Sequence, residues 1–275
     1  MANSGGADLD AATRVLAGRR IAVLSGAGVS TDSGIPDYRG PNSVSRTPMT
    51  FQTFLADAEA RKRYWAGSHL GWGRFARAAP NSGHFALAEL ESAGVVNGIL
   101  TQNVDALHER AGSARVVNLH GRLDRVRCLN CGQVYARDAV SRQISALNPW
   151  LTDTDSAVLH PDGDADVAGA GGFSVPECGL CGGMLKPDIV FFGEFIPTTT
   201  FYGARALVRA ADALLVVGSS LVVNSGIRFL DQADKRHLPV VIVNRGATRG
   251  DSRATVKIDA GTSETLTALA DRLVA

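Results

Sequence analysis

The sequence carries almost no net charge. Its 28 lysine and arginine residues are balanced by 27 aspartate and glutamate residues, which leaves a formal charge of +1 at pH 7. A protein that binds nucleic acid or an anionic membrane through its overall field carries a strong positive excess. We therefore expect neither a nucleic acid nor a membrane among the partners of this chain.

Long apolar segments are missing as well. The longest runs, such as Ala213–Val217 and Val240–Val243, are far shorter than the ~20 residues that a membrane-spanning helix needs. Residues 1–10 contain neither a basic start nor an apolar stretch, so no secretory signal is predicted. A chain of 275 residues, 45% of them hydrophobic, can bury one large core and a satellite module.

Cysteine is scarce, and all four copies fall in two Cys-x-x-Cys pairs, Cys128/Cys131 and Cys178/Cys181. A glycine follows each pair and permits the tight turn that points two thiolates at one place. Four such sulfurs match the tetrahedral shell of one structural zinc ion, which leaves no ligand position open for chemistry. The alternative is two unrelated redox or buried pairs. Zinc-binding thiols fit a reducing compartment, and we expect a cytoplasmic protein.

Short apolar strands alternate with helical patterns along the chain. Strands without polar alternation are typical of a parallel sheet that is covered on both faces. The predicted strands are Ile21–Leu24, Val95–Leu100, Val116–Leu119, Ile189–Phe192, Leu214–Val217 and Val240–Val243. The predicted helices are 8–17, Gly83–Ser92, Gly203–Ala211, Gly226–Arg236 and one from about Ser263. The alternation predicts an α/β fold, a doubly wound Rossmann-like parallel sheet with a smaller inserted zinc-ribbon/helical domain.

Two segments interrupt the alternation. Residues 41–80 combine six aromatic residues with a helical pattern, and residues 132–177 separate the cysteine pairs. The predicted domains are a discontinuous Rossmann-like domain (1–40, 81–122 and 187–275), a helical insertion that carries the cofactor loop (41–80) and a zinc-binding module (123–186).

The Asp/Gly/Ala-rich residues 152–172 are predicted to be a solvated loop. Asp162–Asp166 has the spacing of a calcium loop, but Val167 and Phe173 stand where such a loop needs glycine and glutamate.

Gly26-x-Gly28 directly follows the first predicted strand. Such a turn lets the backbone approach a pyrophosphate, whose charge the amides at a helix N-terminus receive. Thr31 replaces the third glycine of the dinucleotide fingerprint, and no acidic residue closes a second strand about 20 positions on, which argues against a dehydrogenase. A strand-to-helix turn without a ligand is the alternative.

Five motifs follow one another along the chain around the four cysteines. They are Gly26–Arg39, Thr101–Asp105, Leu119–Gly121, Lys186–Glu194 and Gly218–Leu221. In this order they resemble the sirtuins, the family of NAD-dependent protein-lysine deacylases, and the resemblance covers roughly residues 14–275. The class II branch of the family is resembled by the long insertion between the cysteine pairs and by the sequences Arg63-Tyr64-Trp65 and Leu147-Asn148-Pro149.

The resemblance implies NAD as a co-substrate. Gly34 and Pro36 then belong to a mobile loop over the nicotinamide ribose, and the polar residues after the second strand hold nicotinamide and its ribose. For those polar residues, a strand-to-helix turn capped by Asn103 or Asp105 is the alternative. The matched positions are Gly26, Ala27, Gly28, Ser30, Gly34, Ile35, Pro36, Asp37, Tyr38, Arg39, Gln102, Asn103, Val104, Asp105, Gly218, Ser219, Ser220, Asn244, Arg245, Gly246 and Thr262.

The resemblance also implies a reaction. Nicotinamide leaves NAD, the acyl group passes from lysine to the ribose, and free lysine and O-acyl-ADP-ribose result. His120 and Asn103 lie at the reacting centre, with His120 as the general base, a role that suits the unperturbed histidine pKa of about 6.5. A histidine at a strand end that only makes a structural hydrogen bond is the alternative.

The resemblance implies an acylated-lysine protein or peptide as substrate, lying as an added strand between two edges. The first edge is Val190, Phe191, Phe192, Gly193 and Glu194, and the second continues from Ser220 through Val222, Val223 and Asn224. The phenylalanines are expected to line the acyl tunnel, although one of them is expected to be plain core. Gly67 stands where family members that remove succinyl or malonyl groups carry an arginine after Tyr64. Acidic acyl groups are therefore not expected to be preferred, unless Arg61, Arg63 or Arg74 substitutes.

Other functions stay open at this point. Mono-ADP-ribosyl transfer to proteins needs the same NAD site, so the sequence does not separate it from deacylation. A zinc-ribbon nucleic-acid-binding protein has support from Arg122, Arg125 and Arg127 near the first cysteine pair, but interleaved aromatic residues are lacking.

Overall fold

The computed structural model describes residues 4–37, 48–151 and 172–274. Its centre is a six-stranded parallel sheet with the order β3-β2-β1-β7-β8-β9, strands being numbered along the chain. The order reverses between β1 and β7, so the crevice of this open α/β sheet opens at that point. These strands are β1 (Ile21–Ser25), β2 (Val96–Thr101), β3 (Val116–Asn118), β7 (Ala213–Val217), β8 (Val240–Val243) and β9 (Val256–Ile258).

Helices cover both faces of this sheet. Val23 points to one face with α1, α4 and α9, and Leu24 points to the other with α7 and α8. Strand β1 is buried along its whole length because both of its faces are covered. The fold is therefore doubly wound, as the sequence predicted. The helices are α1 (Ser4–Leu16), α4 (Ser82–Ser92), α7 (Thr198–Arg209), α8 (Asn224–Lys235) and α9 (Thr262–Leu273).

A smaller antiparallel sheet has the order β5-β4-β6, where β4 is Gly121–Cys128, β5 is Val134–Ala136 and β6 is Leu185–Ile189. Helix α6 (Arg137–Leu147) packs on it. The prediction of a strand at Ile189–Phe192 among those of the parallel sheet is wrong, because β6 ends at Ile189 and pairs with β4. Cys128 of β4 lies opposite Leu185 of β6. The pairing of these two strands therefore begins next to the cysteine turns and does not include the apolar residues after Ile189.

The remaining helices pack beside this sheet. Helices α2 (Phe51–Ala56), α3 (Ala58–Arg77) and α5 (Leu107–Arg110) complete the described elements together with three short 3-10 turns. Phe54 and Tyr64 pack against Phe191 with ring centroids 5.1 Å away. Among the described helices, none combines the length and the apolar composition that crossing a membrane would take.

Several predicted bounds differ from the structure. Helix α1 begins at Ser4 rather than at residue 8, and α7 begins at Thr198 rather than at Gly203. Pro197 stands directly before α7 in an extended conformation, and the threonine run after it has low helix propensity. Strand β9 was missed because its three residues include a lysine. The predicted loop at 152–172 lies outside the described residues except for Gly172.

Three glycines form the contact between β1 and β7 at the point where the strand order reverses. A Cβ on Gly218 would lie 2.4 Å from the Val29 nitrogen, and one on Gly28 would lie 2.8 Å from the Gly218 Cα. A Cβ on Gly26 would lie 2.8 Å from the Gly218 oxygen. The Gly28 N–H donates to that oxygen at 2.9 Å. Main chain therefore packs directly on main chain here, and we name Gly26, Gly28 and Gly218 the glycine junction.

Gly218→Ala should destabilise the protein much more than Gly246→Ala. Both glycines have positive φ, 59° and 77°, which costs an alanine about 1–2 kcal/mol. Only at Gly218 would the new Cβ also strike backbone, since nothing lies within 4 Å of a Cβ on Gly246. Urea unfolding should give a loss at least about 2 kcal/mol greater for Gly218→Ala, because backbone must move. Equal losses would contradict the junction as described.

A pair of buried histidines, His84 and His108, lies next to the end of β1. The rings of His84 and His108 are 4.9 Å apart at their centroids, and the His108 Nε2 lies 2.8 Å from the Ser25 Oγ. Burial lowers the pKa of His84 to about 4, and burial together with His84 lowers the pKa of His108 to about 3. Both rings are therefore neutral at pH 7.

These histidines should make the fold sensitive to acid. The unfolded chain takes up the two protons near pH 6.5 and the folded chain does so only near pH 4 and 3, so stability falls as pH drops below about 6.5. By pH 5 each histidine should remove about 2 kcal/mol from the free energy of unfolding. The variant His108→Gln should lose less stability between pH 7 and pH 5 than the wild type. Parallel losses in urea melts would exclude the pair as the cause.

Candidate active site

The polar residues predicted for the site follow the carboxyl ends of the parallel strands. This edge is where open α/β sheets bind ligands. Gly26 follows β1, Gln102 follows β2, His120 lies just beyond β3, Gly218 follows β7 and Asn244 follows β8. The fold thus brings together residues that are up to 218 positions apart in the sequence.

A buried polar cluster lies at the centre of this edge. The Asn103 amide donates to the Gly26 carbonyl oxygen and to the Ser30 Oγ, both at 3.1 Å. The Ser30 hydroxyl donates to the Asp105 carboxylate at 2.7 Å, and the Leu107 N–H donates to its other oxygen at 2.9 Å. Burial raises the pKa of Asp105, although these two donors oppose the shift. Asn103 thereby links the turn after β1 to the segment after β2.

His120 is held on both sides of its ring. Its Nδ1 lies 2.9 Å from the Gln102 carbonyl oxygen, and its Nε2 lies 2.8 Å from the Ser225 Oγ at the start of α8. Its own carbonyl oxygen accepts from the Val190 N–H at 2.8 Å. Burial lowers the pKa of His120, and the bond to the Gln102 carbonyl opposes that shift. The ring is therefore neutral at pH 7 and able to accept a proton.

The turn after β1 uses part of its own backbone internally. The Gly26 and Gly28 N–H groups donate to the carbonyl oxygens of Val217 and Gly218, so these two amides do not point at a ligand. The next two N–H groups, of Val29 and Ser30, also donate within the turn, so the predicted phosphate cradle cannot use these four amides. The Thr262 hydroxyl donates to the Gly28 carbonyl oxygen at 3.1 Å, which brings Thr262 to this turn.

The start of the predicted cofactor loop is anchored from two sides. The Asn81 amide donates to the Val29 carbonyl oxygen at 2.8 Å and to the Ser33 Oγ at 3.0 Å. The Ser263 hydroxyl donates to Asp32 at 2.6 Å. Beyond these anchors lie Gly34, Ile35, Pro36 and Asp37, whereas Tyr38 and Arg39 lie outside the described residues. Gly34 has a φ of 82°, a conformation that glycine adopts readily.

The resemblance to the sirtuins matches four residues to positions around the adenosine half of NAD, and they lie after β7 (Gly218 and Ser219) and after β8 (Asn244 and Arg245). The Ser219 hydroxyl donates to the Gln102 Oε1 at 2.7 Å. Asn244 donates to the Arg245 carbonyl oxygen at 2.7 Å, and the Gly246 N–H donates to Asp259 at 2.9 Å. Arg245 is exposed and available to a ligand phosphate or base.

The predicted substrate edges are mostly irregular backbone. Past β6 the segment 190–194 forms only a single bridge, between Phe192 and Thr50, and the predicted second edge runs into α8, which begins at Asn224. Phe191 is buried in the aromatic cluster, whereas Phe192 is 48% exposed. One phenylalanine is thus core, as expected, and the other faces outward.

Lys186 stabilises the segment 190–194 through an ion pair. Its ammonium lies 3.0 Å from the Glu194 Oε2 and 4.6 Å from the Phe191 ring centroid. The same carboxylate oxygen accepts from the Phe191 N–H at 2.9 Å. Burial lowers the pKa of Lys186, and Glu194 opposes that shift. The Glu194 carboxylate, which is paired with Lys186, therefore links the two ends of the Phe191–Glu194 turn.

The four cysteines form one cluster, away from His120 along β4 and β6. All four sulfur atoms lie within 4.8 Å of one another, and the Cys128–Cys181 and Cys131–Cys178 pairs are 3.6 and 3.7 Å apart. A zinc ion with four sulfurs at about 2.3 Å gives a sulfur–sulfur separation of about 3.8 Å, so the cluster fits a zinc site. The Tyr135 hydroxyl contacts the Cys178 Sγ at 3.1 Å and lowers the pKa of that thiol to about 6.

The sequence did not indicate every residue that shapes the site. Ser225 directly follows the predicted Val222–Asn224 segment, but its contact with His120 depends on how α8 packs. Lys186 was part of a matched motif without a role. Asn81 lies just before the predicted helix Gly83–Ser92, and it caps α4. A polar residue at the first turn of a helix is the signal that Asn81 and Ser225 share.

Known proteins of similar sequence and structure lead to the family. A model described as "Sir2 family" matches residues 26–225. "NAD-dependent protein deacetylase 1" of Mycobacterium avium is 53% identical over 263 residues, 94% of this chain and 93% of the relative. The protein of the same description from Streptomyces coelicolor is 51% identical over 273 residues, with 98% and 91% covered. A solved structure, "Sir2-p53 peptide-NAD+", superposes with a TM-score of 0.77 at 30% identity, covering 98% of each chain. The chain belongs to the Sir2 family, the sirtuins.

Proposed function

We propose that this protein is an NAD-dependent protein-lysine deacetylase. Its bacterial relatives carry that description along nearly their full length. A structural neighbour carries a p53 peptide and NAD+ in its description. The single observation that carries the proposal is a neutral His120 at the carboxyl edge of the sheet, beside the Asn103 cluster.

His120 is the general base of this proposal. Bound NAD supplies the ribose carbon from which nicotinamide leaves and the hydroxyl that receives the acyl group. The Nε2 of His120 removes the proton of that hydroxyl, because Nδ1 donates its own hydrogen to the Gln102 carbonyl oxygen. The Ser225 hydroxyl, which bonds Nε2 in the ligand-free protein, rotates away to admit the ribose hydroxyl. A base of this kind contributes about 10²–10⁴-fold to a rate.

The buried amide cluster holds the nicotinamide half. Asn103 and Asp105 lie on the segment after β2, and Ser30 and Ile35 belong to the turn and loop after β1. Amide and carboxylate groups can bond both the carboxamide and the ribose hydroxyls. Gly218, Ser219, Asn244 and Arg245 hold the adenosine half. The remaining matched positions, Ser220 and Val104 among them, line the same edge.

The acyl group enters from the side of Phe191 and Phe192, and the substrate main chain lies between 190–194 and 222–224. The aromatic wall of Phe54, Tyr64 and Phe191 favours an apolar acyl chain. Gly67 offers no charge to an acidic one. The assignment to the class II branch, the cytoplasmic location and the three predicted domains also remain our proposals, and β6 spans the boundary that was predicted at residues 186/187.

Zinc in this proposal is structural. Cys128, Cys131, Cys178 and Cys181 would hold one ion and leave no ligand position open. A Cβ on Gly183 would lie 2.9 Å from the Cys128 Sγ and 3.1 Å from the Cys181 Sγ. A side chain at this position would therefore crowd the two sulfur atoms. The ion ties β4 to the start of β6.

Nicotinamide release from NAD should depend on an acetyl-lysine peptide and on His120. We expect His120→Ala to lower the rate at least about 100-fold, because the proton acceptor is lost. The control is His237→Asn, which changes an exposed histidine of positive φ to a residue that tolerates that conformation. Peptides with longer acyl and succinyl groups, in the same assay, rank the acyl class.

Three results would contradict the proposal. Release without any acyl peptide, with ADP-ribose on protein, favours mono-ADP-ribosyl transfer. Faster release with the succinyl peptide than with the acetyl peptide overturns the acyl preference. The absence of both release and NAD binding excludes the NAD site altogether.

Zinc analysis should find about one ion per chain. Cys178→Ser should lose the ion and lower the free energy of unfolding by more than about 3 kcal/mol, because metal binding and folding are coupled. Ser252→Ala, at an exposed site, serves as the matched control. Elemental analysis and urea melts of both variants provide the readout. A stable, zinc-free wild type would refute the structural role.

A further inference from the structure

A chain of side-chain hydrogen bonds reaches His120 from the far side of the site. The Leu221 N–H donates to the Ser219 Oγ at 3.3 Å, and Ser219 contacts the Gln102 Oε1 at 2.7 Å. The Gln102 Nε2 lies 3.2 Å from the Ser225 Oγ, which lies 2.8 Å from the His120 Nε2. The chain closes where the His120 Nδ1 meets the Gln102 carbonyl oxygen at 2.9 Å.

The direction of the bonds in this chain is determined at its His120 end. A carbonyl oxygen can only accept, so the His120 Nδ1 carries the hydrogen there. A neutral ring then has a bare Nε2, and this nitrogen must receive the Ser225 hydrogen. Ser225 has only one hydrogen, so the Gln102 NH₂ donates to its oxygen and the Gln102 Oε1 accepts from Ser219. The Leu221 N–H donates to the Ser219 oxygen at the other end, which agrees with this direction.

The Gln102 amide is essential to that agreement. Its oxygen is directed at Ser219 and its NH₂ at Ser225. The backbone of Gly226 lies close to this amide, since a Cβ on Gly226 would be only 3.1 Å from the Gln102 Nε2. Glycine at the third position of α8 therefore allows α8 to approach the amide closely, with Ser225 beside the His120 Nε2.

We propose that Ser225 is a positioning residue for His120: in the ligand-free protein its hydroxyl donates to Nε2 and so fixes the orientation of the ring, and it yields this nitrogen to the ribose hydroxyl when NAD binds. This inference rests on the proposed function and adds a residue to it. The chain also connects the base to the segment Gly218–Leu221, which follows β7 and is proposed to hold the adenosine half of NAD. The ring orientation thus depends on a helix start and on a second loop as well as on its own strand.

Within the part of the chain that the structure describes, the groups hydrogen-bonded to the His120 ring are uncharged. They are the Gln102 carbonyl oxygen from the segment after β2 and the Ser225 hydroxyl from α8. The Val190 N–H from the segment after β6 contacts the His120 main chain. Because Ser225 donates to the unprotonated nitrogen, it stabilises the neutral ring. Loss of the hydroxyl should therefore raise the pKa of His120.

The experiment compares Ser225→Ala, Ser225→Thr and the control Ser252→Ala with the wild type. We expect Ser225→Ala to lower kcat about 10-fold or more with little change in KM for NAD, because the base is no longer held in position. Ser225→Thr keeps a hydroxyl and should recover most of the rate. Ser225→Ala in the His120→Ala background should cause no further loss, because the serine acts through the histidine. Thermal melts check that each variant folds.

A second readout does not involve NAD. Imidazole ¹⁵N NMR of the ligand-free protein, with His120 assigned from the spectrum of His120→Ala, reports the tautomer and the titration midpoint. The wild type should show the hydrogen on Nδ1, and Ser225→Ala should titrate about 0.4–1 pH unit higher, as the loss of one hydrogen bond implies.

The outcomes separate the two proposals. An active wild type with unchanged kcat and midpoint in Ser225→Ala overturns the role of Ser225 alone. A hydrogen on Nε2 in the wild type also overturns it, since the chain would then run the other way. A wild type that releases no nicotinamide with the acetyl peptide overturns the proposed function, and the NMR titration still decides whether Ser225 holds the ring.

Discussion

The contact of main chain with main chain at the glycine junction is the constraint on which the rest of the site depends. Gly28 and Gly218 place the turns after β1 and β7 against each other without side chains between them. The Gly28 amide is bonded across the junction, and the Gly28 carbonyl oxygen accepts from Thr262. Any side chain there would separate the two halves of the sheet at the crevice that we propose binds NAD. Asn103 then bonds the Gly26 carbonyl oxygen, so the amide cluster is positioned by the same contact.

Neutral polar groups, rather than ionised pairs, organise the interior around the site. Asn103 bonds the Ser30 hydroxyl, Gln102 bonds the hydroxyls of Ser219 and Ser225, and His120 is neutral there. Unpaired charges are costly to bury, whereas satisfied hydrogen bonds fix geometry at little cost. The one buried lysine near the substrate side, Lys186, is paired with Glu194 and packs on an aromatic ring. Such an interior keeps the base unprotonated without a counter-ion.

The parallel sheet could be predicted because its strands are apolar runs with glycine or polar residues at their ends. Ile21–Ser25 and Val240–Val243 are examples, and both lie within a residue of the predicted bounds. The segment after Lys186 could not be assigned in the same way. Its apolar residues are divided between an antiparallel strand and an irregular turn, and only the pairing with β4 shows where the strand ends. Strand β9, with a lysine among its three residues, carries too few apolar positions to show a pattern.

The site divides along the same line. Residues in contiguous motifs, such as Gln102, Asn103 and His120, could be recognised from the sequence because each follows a strand directly. Ser225 and Lys186 could not be given a role, since their function arises from contacts with residues 105 and 8 positions away. No local pattern records such contacts. The internal use of the Gly26 and Gly28 amides was equally invisible, because it follows from the neighbouring strand rather than from the turn itself.

The cysteine cluster has a consequence for how this chain can vary. The 46 residues between Cys131 and Cys178 begin and end at cysteines whose sulfur atoms are only 3.7 Å apart. The first of them form β5 and α6, which pack on β4. A segment whose ends are tied together can change in length at an entropic cost of only about 0.6 kcal/mol per doubling. Insertions and deletions between residues 151 and 172 therefore leave the β4–β6 register, and with it His120 and Val190, where they are. That part of the chain is a place where relatives can diverge in length and surface while the proposed reacting centre stays the same.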